Sequence, residues 1–369
     1  MKTNKSVDAW NKFCESLKDT GQILLEEKTP QDETTQADGL RYLVHMIRAG
    51  FENTYEFSDV TRPVLVPMVS PTLLYEGAGS AARYLQGYID GGKSYRVYGK
   101  RGTAPLLELS LYNGKIGIHE PCHLVAALTE EDIVLEDDGR LEVTIGPEPK
   151  PGNHLLSNTD TCFMMIRQYT HVWDETIEGE FFIECLDEQA MQLPSTVSEV
   201  SDGLEQTAQF VSTVAQYWSA LSDYWIGLLV NELMPQSKAN DKTEVAPPTG
   251  HQFACGYFRV EPDEALIFEF TPEQVPFWGF EMASYWYQII GFGNTQSRPN
   301  NKTVEYDDSG TVRVYCAHQH PAGVPLANWL DLRGYTEGTT VFRWSRSKQP
   351  VPEFKTTLIK LGSVGINYE

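Results

Sequence analysis

The chain has 369 residues, enough for two domains with well-covered cores, and its 51 acidic residues outnumber 29 basic ones to give a formal net charge of −22. A negative charge of this size repels nucleic-acid phosphates and anionic lipid headgroups, so we expect neither nucleic acid nor a membrane as a partner. No stretch approaches the ~18 consecutive apolar residues of a membrane span, and the first residues lack the apolar core of a signal peptide, so a cytoplasmic protein is expected.

Two amphipathic helices are predicted at the start of the chain. Apolar residues recur at near-helical spacing over residues 6–27, where Ser6 is available as a cap, and again over residues 33–57. We therefore assign residues 1–60 to an N-terminal helical region.

Short strands are predicted to dominate the next segment. Apolar runs between residues 84 and 186 are separated by turns rich in glycine, proline or charge, among them the hairpin signal Asp90-Gly91-Gly92. Many short strands at this spacing are typical of an antiparallel sandwich or jelly roll. Residues 61–193 are therefore predicted to form a first β-sandwich half.

A long helix is predicted to follow. Apolar residues repeat with a period near 3.6 over residues 197–233, so this segment could bridge two β-domains. A polar, proline-bearing linker completes a connecting region at residues 194–250. Residues 251–369 are again predicted to be short strands.

The second β-half is predicted to repeat the first. Turns, strands and corners recur in the same order at offsets of 171 to 176 residues, which predicts a duplicated domain. We therefore expect an α+β, mainly β protein with two related antiparallel, jelly-roll-like sandwich halves. The matching landmarks are Glu108 with Glu281, Gly139 with Gly310, Asn153 with Asn328, and Arg167 with Arg343.

The C-terminal half resembles the family named domain of unknown function 1214, and the upstream half is similar to its companion, domain 1254. The resemblance implies a β-sandwich, jelly-roll-like fold with helical additions, and it implies no established reaction. The residues that carry it in the C-terminal half are Phe277-Trp278-Gly279-Phe280-Glu281, Asp307-Asp-Ser-Gly310, Val314-Tyr-Cys-Ala-His318, Asn328-Trp329-Leu330 and Arg343-Trp344; upstream they are Tyr88-Ile-Asp-Gly91, Arg101-Gly102 and Arg167-Gln-Tyr169.

Two repeated carboxylates are candidates for acid–base chemistry. Glu108 and Glu281 are predicted to lie mid-strand, each followed four residues later by a tyrosine on the same face, Tyr112 or Tyr285. A partly buried carboxylate has a raised pKa and can act as a general base, with the tyrosine as donor. Solvent-facing struts that the duplication simply copied are the alternative.

An aromatic ligand cleft is predicted in the second half. If the protein is an enzyme, Glu281 would be the base, Tyr285 the proton donor, and His318 or Arg298 would orient the substrate. Arg167 and Arg343 are expected to bond backbone carbonyls. The residues predicted to line the cleft are Trp278, Trp286, Tyr287, Arg298 and Trp329.

Metal and nucleophile motifs are weak. His318 and His320 could chelate a metal, but Pro321 follows and no carboxylate stands nearby, so one histidine bonded to a carbonyl is the alternative. Cys122 beside His119 or His123 could form a thiolate nucleophile. No glycine-rich dinucleotide loop, Walker loop or serine elbow is present, and we expect no cofactor.

These residues predict a small-molecule-binding protein, with cofactor-independent acid–base catalysis on a largely apolar organic substrate as one hypothesis. A noncatalytic module that binds carbohydrate or assembles into a homo-oligomer is the alternative. A closed cavity holding acid–base groups would favour an enzyme, whereas a flat aromatic strip would favour an interface.

Overall fold

A computed structural model of the chain describes residues 4–77, 79–115, 122–187, 194–236, 250–292 and 298–362. Its three long helices confirm the helical predictions: α1 spans Lys5–Thr20, α2 spans Glu33–Phe51 and α3 spans Val197–Leu228. Among the residues described, no helix is long and apolar enough to cross a membrane.

Local capping explains where the helices begin. The first helix is capped by Asn4 rather than by Ser6, whose backbone N–H donates to the Asn4 Oδ1 at 3.1 Å. The longest helix begins with a capping box, in which Thr196 and Glu199 satisfy each other's backbone N–H groups. The second helix ends in a π-helical turn, Glu52–Glu56, a distortion that is frequent at functional sites.

The first sandwich half contains nine strands in two sheets. One sheet has the order β1-β2-β8-β4-β5 and the other has the order β7-β6-β3-β9. The strands are β1 (Val66–Pro67), β2 (Ala82–Tyr88), β3 (Tyr95–Lys100), β4 (Leu106–Tyr112), β5 (Leu124–Thr129), β6 (Arg140–Gly146), β7 (His154–Leu156), β8 (Phe163–Tyr169) and β9 (Glu180–Cys185).

The second half repeats this plan with one strand fewer among the residues described. Its sheets have the orders β10-β11-β16-β13 and β15-β14-β12-β17. The strands are β10 (Met234–Pro235), β11 (His251–Arg259), β12 (Glu264–Phe270), β13 (Phe277–Ala283), β14 (Val312–Ala317), β15 (Trp329–Asp331), β16 (Glu337–Ser345) and β17 (Lys355–Lys360).

Two asparagines confirm the relation between the halves in atomic detail. The Asn153 side chain accepts from the Val134 N–H at 2.8 Å and donates to the carbonyls of Val134 and Glu142 at 2.7 and 3.0 Å. Asn328 makes the same three bonds, at 2.8, 2.9 and 3.0 Å, with partners 171 residues further along at 305 and 313. Each asparagine closes the corner before a short parallel strand, β7 or β15.

Each sandwich has its own apolar core, and a third core lies where the two inner sheets face each other under the helices. Strand residues alternate between these environments, because successive side chains point to opposite faces of a sheet. In β13, Trp278 and Phe280 pack inside the second sandwich, whereas Phe277 belongs to the shared core. The Tyr169 ring of the first half lies 5.9 Å from the Phe277 ring.

The two repeated glutamates lie in this covered region and not on a solvent-facing sheet. Glu108 and Glu281 are 0% and 3% exposed, so the expectation that they face solvent is wrong. Each pairs with the arginine of its own half, Arg167 at 3.0 Å or Arg343 at 3.3 Å. Duplication has therefore copied a buried ion pair.

Candidate functional site

Glu76 stands out in the loop between β1 and β2. Its backbone φ is +63°, in the left-handed region that non-glycine residues rarely adopt and that is enriched at functional sites. The Oε1 atom of its carboxyl group is buried and has no hydrogen-bond partner. Burial raises the pKa of Glu76 to about 7, although the positive charges of Lys115 and Arg167 act in the opposite direction.

Lys115, just after β4, supplies a buried ammonium group to the same region. It is 3% exposed, and its Nζ donates to the Asn53 Oδ1 and the Gln86 Oε1, both at 2.5 Å. The π-helical turn after α2 carries Asn53, and β2 carries Gln86. Burial lowers the pKa of Lys115 to about 8, and the charge of Glu76 opposes that change.

Glu76 and Lys115 influence each other's pKa without forming a direct ion pair. The Oε1 of Glu76 has no partner, while Lys115 is held by two neutral amides. This arrangement differs from the Glu281–Arg343 pair, whose charged atoms lie 3.3 Å apart. Glu76 and Lys115 therefore lack the direct contact between opposite charges that joins Glu281 to Arg343.

Aromatic side chains surround these two charges. The hydroxyls of Tyr75 and Tyr112 are buried and make no hydrogen bond of normal geometry, although Tyr75 lies near the amides that hold Lys115. Lys115 Nζ lies 5.8 Å from the centre of the Tyr88 ring and 5.0 Å from that of Phe163. We call Tyr75, Glu76, Tyr88, Tyr112 and Lys115 the Glu76–Lys115 site.

The tyrosines of this site are poised as hydrogen-bond donors. Burial raises the pKa of Tyr75 and Tyr88 well above the ordinary value, and the negative charge of Glu76 adds to the increase. Both phenols therefore keep their protons at neutral pH. The Tyr88 hydroxyl donates to Asn53 Oδ1 at 3.4 Å, whereas the Tyr75 hydroxyl lies near the Asn53 and Gln86 amides without a hydrogen bond of normal geometry.

Cys122 lies beside the site as a protonated thiol. Its Sγ donates to the Gly114 carbonyl at 2.8 Å. Burial raises the pKa of Cys122 to about 12. These features argue against the thiolate nucleophile considered from the sequence. His119, one of the bases suggested for it, lies outside the described residues.

The second half holds the loop that carries Glu76. The Gly77 N–H donates to the Tyr287 carbonyl at 3.0 Å, and the Gly77 carbonyl accepts from the Arg343 Nη2 at 2.7 Å. The Ser80 backbone N–H and hydroxyl both donate to the Glu281 Oε1, the hydroxyl at 2.7 Å. Residues from β13, β16 and the turn after β13 thus fix the loop backbone on both sides of the strained residue.

Glu281, the predicted base, therefore links the two halves of the protein through hydrogen bonds. Its oxygens accept from Ser80 and Arg343, which leaves no oxygen directed at a separate ligand. Tyr285, the predicted proton donor, is not on the same strand, because β13 ends at Ala283. Its hydroxyl donates to the Asp223 Oδ1 of α3 at 2.9 Å. The structure does not join Glu281 and Tyr285 into an acid–base pair.

His318 and Trp329 lie in or beside the outer sheet of the second half. Nε2 of His318 is 2.9 Å from the Val260 carbonyl, and Nε2 of His320 is 2.8 Å from the Val324 carbonyl. Trp329 donates to the Ala317 carbonyl at 3.1 Å. Both histidines thus bond backbone carbonyls, whereas the alternative to a metal site predicted this for only one of them. Within the described residues, no three His, Cys, Asp or Glu side chains are grouped to hold a metal ion.

The remaining predicted residues fall in three places. Trp278 packs inside the second sandwich. Arg298 faces a cavity of ≈10 Å³ that Glu281 and Arg343 also line, and its Nε is buried without a partner. Trp286 and Tyr287 lie in the turn after β13.

Tyr287 bonds the loop that carries Glu76, and Trp286 packs on a tyrosine of α2. The Trp286 ring stacks on Tyr42 with centroids 5.6 Å apart, and burial together with the charge of Glu76 raises the pKa of Tyr42. Tyr287 has a φ of +55° and bonds Gly77 directly. Its hydroxyl is buried without a partner.

The arginine expectations had different outcomes. Arg343 bonds a backbone carbonyl, that of Gly77, as expected. Arg167 instead donates to the side chains of Glu108 at 3.0 Å and Ser110 at 2.7 Å, so the expectation of a backbone carbonyl is wrong for this residue. The sequence did contain one signal for the site: Glu76 is the only charged residue between Arg62 and Arg83.

Comparison with known proteins finds one family match within the second half. Residues 264–349 match the family DUF1214, described as a protein of unknown function. The resemblance predicted for the C-terminal half is thereby confirmed, and the DUF1214 match runs from β12 through β16. A search of curated proteins finds no match.

One solved structure supports the fold of the whole chain. The crystal structure of an uncharacterised protein from Burkholderia cenocepacia is 25% identical and superposes with a TM-score of 0.89, covering 96% of this chain and 98% of that one. The VPA0106 protein from Vibrio parahaemolyticus is 10% identical, with a TM-score of 0.46 over 87% of this chain and 98% of that one. The mainly β, α+β architecture is thus shared with the Burkholderia protein.

Proposed function

We propose that the protein is a small-molecule enzyme that performs cofactor-independent acid–base chemistry at the Glu76–Lys115 site. The observation that carries this proposal is the presence of a buried carboxylate and a buried ammonium in one interior region without a direct ion pair. Buried charges in purely structural roles are normally paired and fully hydrogen-bonded. An unpartnered carboxylate oxygen on a strained backbone therefore favours a functional role.

The protonation behaviour of the two groups suits proton transfer near neutral pH. A general base is most effective when its pKa lies close to the working pH, and the pKa of Glu76 is raised to about 7. Lys115, with a pKa lowered to about 8, can hold or release a proton in the same range. Both groups can therefore change protonation state within about one pH unit of neutrality.

The surroundings favour a largely apolar substrate with few polar atoms. Tyr88 and Phe163 present ring surfaces to Lys115, and their centroids lie 5.7 Å apart. Small-molecule sites commonly combine such apolar walls with a few convergent polar groups. The Tyr75 and Tyr112 hydroxyls are the polar groups whose bonding capacity is unused.

The experiment measures melting temperature against a library of small organic compounds. A ligand of the native state raises the melting temperature in proportion to its affinity and concentration. We expect hits whose apparent affinity falls at least tenfold in Lys115→Met and changes at least tenfold in Glu76→Gln. Lys355→Met, at an exposed position of β17, is the matched control and should leave the effect intact.

Two results would overturn the proposal. The first is a library in which no compound stabilises the protein. The second is a set of hits that stabilise the Lys115→Met and Glu76→Gln variants as well as they stabilise the unmodified chain, which would place the ligand elsewhere.

A further inference from the structure

We infer that the substrate is a carbonyl compound with an acidic C–H next to the carbonyl group, from which Glu76 removes a proton while Tyr75, Tyr112 and Lys115 hold the carbonyl oxygen. This inference rests on the proposed function and names its substrate class. It follows from which hydrogen-bonding groups of the site are already used and which are not.

Most polar groups of the site with free hydrogen-bonding capacity are donors. The Tyr75 and Tyr112 hydroxyls are buried without partners, and the residues are 1% and 2% exposed. An ammonium group has three N–H donors, and two of those on Lys115 are bonded to Asn53 and Gln86. These donors lie in one region: the Tyr75 hydroxyl is near the two amides that hold Lys115, and Phe163 lies 6.1 Å from the Tyr112 ring and 5.0 Å from Lys115 Nζ. An oxygen atom that accepts hydrogen bonds in this region can therefore use donor capacity that the protein leaves free.

The site also contains one hydrogen-bond acceptor without a partner. Glu76 Oε1 is the one carboxylate oxygen without a partner among the buried side-chain atoms of the site. A ligand that complements the site thus presents an oxygen to the phenols and the ammonium, and a removable proton to Glu76. A carbonyl group with a hydrogen on the adjacent carbon combines both features in a small, largely apolar molecule.

The charge balance of the step fits this arrangement. Glu76 takes the proton, the C–H electron pair forms a carbon–carbon double bond, and the carbonyl π electrons move onto oxygen as an enolate. The negative charge passes from Glu76 to that oxygen, so the site keeps one negative charge beside Lys115 throughout. Protonated Glu76 then returns the proton to the same carbon or to a conjugated one, which completes an epimerisation or isomerisation without any oxidant or reductant.

Fixed donors aimed at a developing oxyanion are an effective catalytic device in a buried site. Burial strengthens each of these bonds, because competing water is excluded. The Tyr75 phenol remains protonated since burial and the charge of Glu76 both raise its pKa. A carboxylate base with a raised pKa and protonated donors opposite it is a known solution for enolisation.

The probe for this inference is para-nitrophenol, whose phenolate mimics an enolate and has a distinct visible absorbance. The full chain is titrated with it at pH 6, where the free probe is largely neutral. We expect the bound probe to absorb as the phenolate. Tyr75→Phe and Tyr112→Phe should each weaken binding about tenfold, which corresponds to the loss of one buried hydrogen bond.

Two further variants sharpen the result. Glu76→Gln should bind the phenolate about tenfold more tightly, because it resembles the protonated Glu76 of the enolate complex and removes a negative charge. Tyr98→Phe, on β3 of the outer sheet, is the matched control and should leave binding unchanged. Deuterium exchange at the carbon next to the carbonyl of cyclohexanone, followed by NMR, should occur with the unmodified chain and be lost in Glu76→Gln.

The outcomes separate this inference from the function on which it rests. Binding of para-nitrophenol only in its neutral form, or binding that both Tyr→Phe variants leave intact, would overturn the carbonyl assignment. If library compounds without a carbonyl group still stabilise the protein in a Lys115-dependent manner, acid–base function stands and only the substrate class fails. If no compound does so, both proposals fail.

Discussion

Replacing Glu76 by glutamine should stabilise the fold at alkaline pH, whereas the same change at Glu281 should destabilise it. Both residues are carboxylates at the junction of the two halves, but their partners differ. Glu281 accepts from Ser80 and Arg343, while the Oε1 of Glu76 has no partner. The two variants therefore form a matched pair that separates a site carboxylate from a structural one.

The expected size follows from the pKa of Glu76. Its rise from 4.5 to about 7 corresponds to roughly 3 kcal/mol at about 1.4 kcal/mol per pH unit. Because the folded pKa is the higher one, the unmodified protein loses this stability as pH rises from 4.5 to 7. Glutamine does not titrate, so Glu76→Gln should match the unmodified protein near pH 4 and exceed it at pH 8.

Glu281→Gln should behave differently. Removing one member of a buried, hydrogen-bonded ion pair leaves Arg343 without its counter-charge and costs roughly 3 kcal/mol. Urea unfolding at pH 4 and pH 8, followed by tryptophan fluorescence, measures both variants by linear extrapolation. Equal destabilisation by the two substitutions at pH 8 would refute the distinction and would make Glu76 a structural carboxylate.

Three other predictions concern the scaffold. Asn153→Ala and Asn328→Ala should each lower the free energy of unfolding, measured in urea, by about 2 kcal/mol, because each loses three hydrogen bonds to backbone groups. The control Asn11→Ala, on the exposed side of α1, should change it by less than about 0.5 kcal/mol, and unequal losses at 153 and 328 would contradict their equivalence. Gly77→Ala should lower the free energy of unfolding more than Gly139→Ala does, since both glycines have positive φ but only at Gly77 would a Cβ meet a Tyr287 ring atom, at 2.8 Å. A loss of about 1 kcal/mol is expected for Gly139→Ala and at least twice that for Gly77→Ala, and similar losses would argue against a tightly held loop. A thiol reagent at pH 8 should label the exposed Cys14 quickly and Cys122 only on unfolding, because Cys122 is buried and burial raises its pKa to about 12. Mass spectrometry measures the labelling, and rapid labelling of both would show that Cys122 is accessible and reactive.

The architecture was largely readable from local patterns. The helical periods predicted all three long helices, and the turn glycines and corner asparagines predicted the duplication, because Gly139 and Gly310 require positive φ and each asparagine bridges two backbone segments. Such requirements are local, so the sequence reveals them directly. The exact helix ends depended on capping by Asn4 and Thr196.

The candidate site could not be predicted from local sequence patterns. The alternation of side chains along β4 and β13 shows which face of its own strand carries Glu108 or Glu281. It cannot show that the other half of the protein covers these faces. Tyr285 falls off the strand because the chain turns at Ser284, whose N–H donates to the Gln288 carbonyl. The sequence interval between Glu76 and Lys115 carries no periodic pattern that joins them, and their proximity arises only when the loop, β2 and the π-helical turn pack together.

The pKa of the Glu76 carboxyl group is the most direct test of the account. It can be followed by NMR of protein labelled with ¹³C at the glutamate side-chain carboxyl, with Glu76→Gln to assign the signal. The account predicts a titration midpoint near pH 7 that moves higher in Lys115→Met, because that variant loses a positive charge that favours the carboxylate. A midpoint near 4.5, or one that Lys115→Met leaves unchanged, would contradict it.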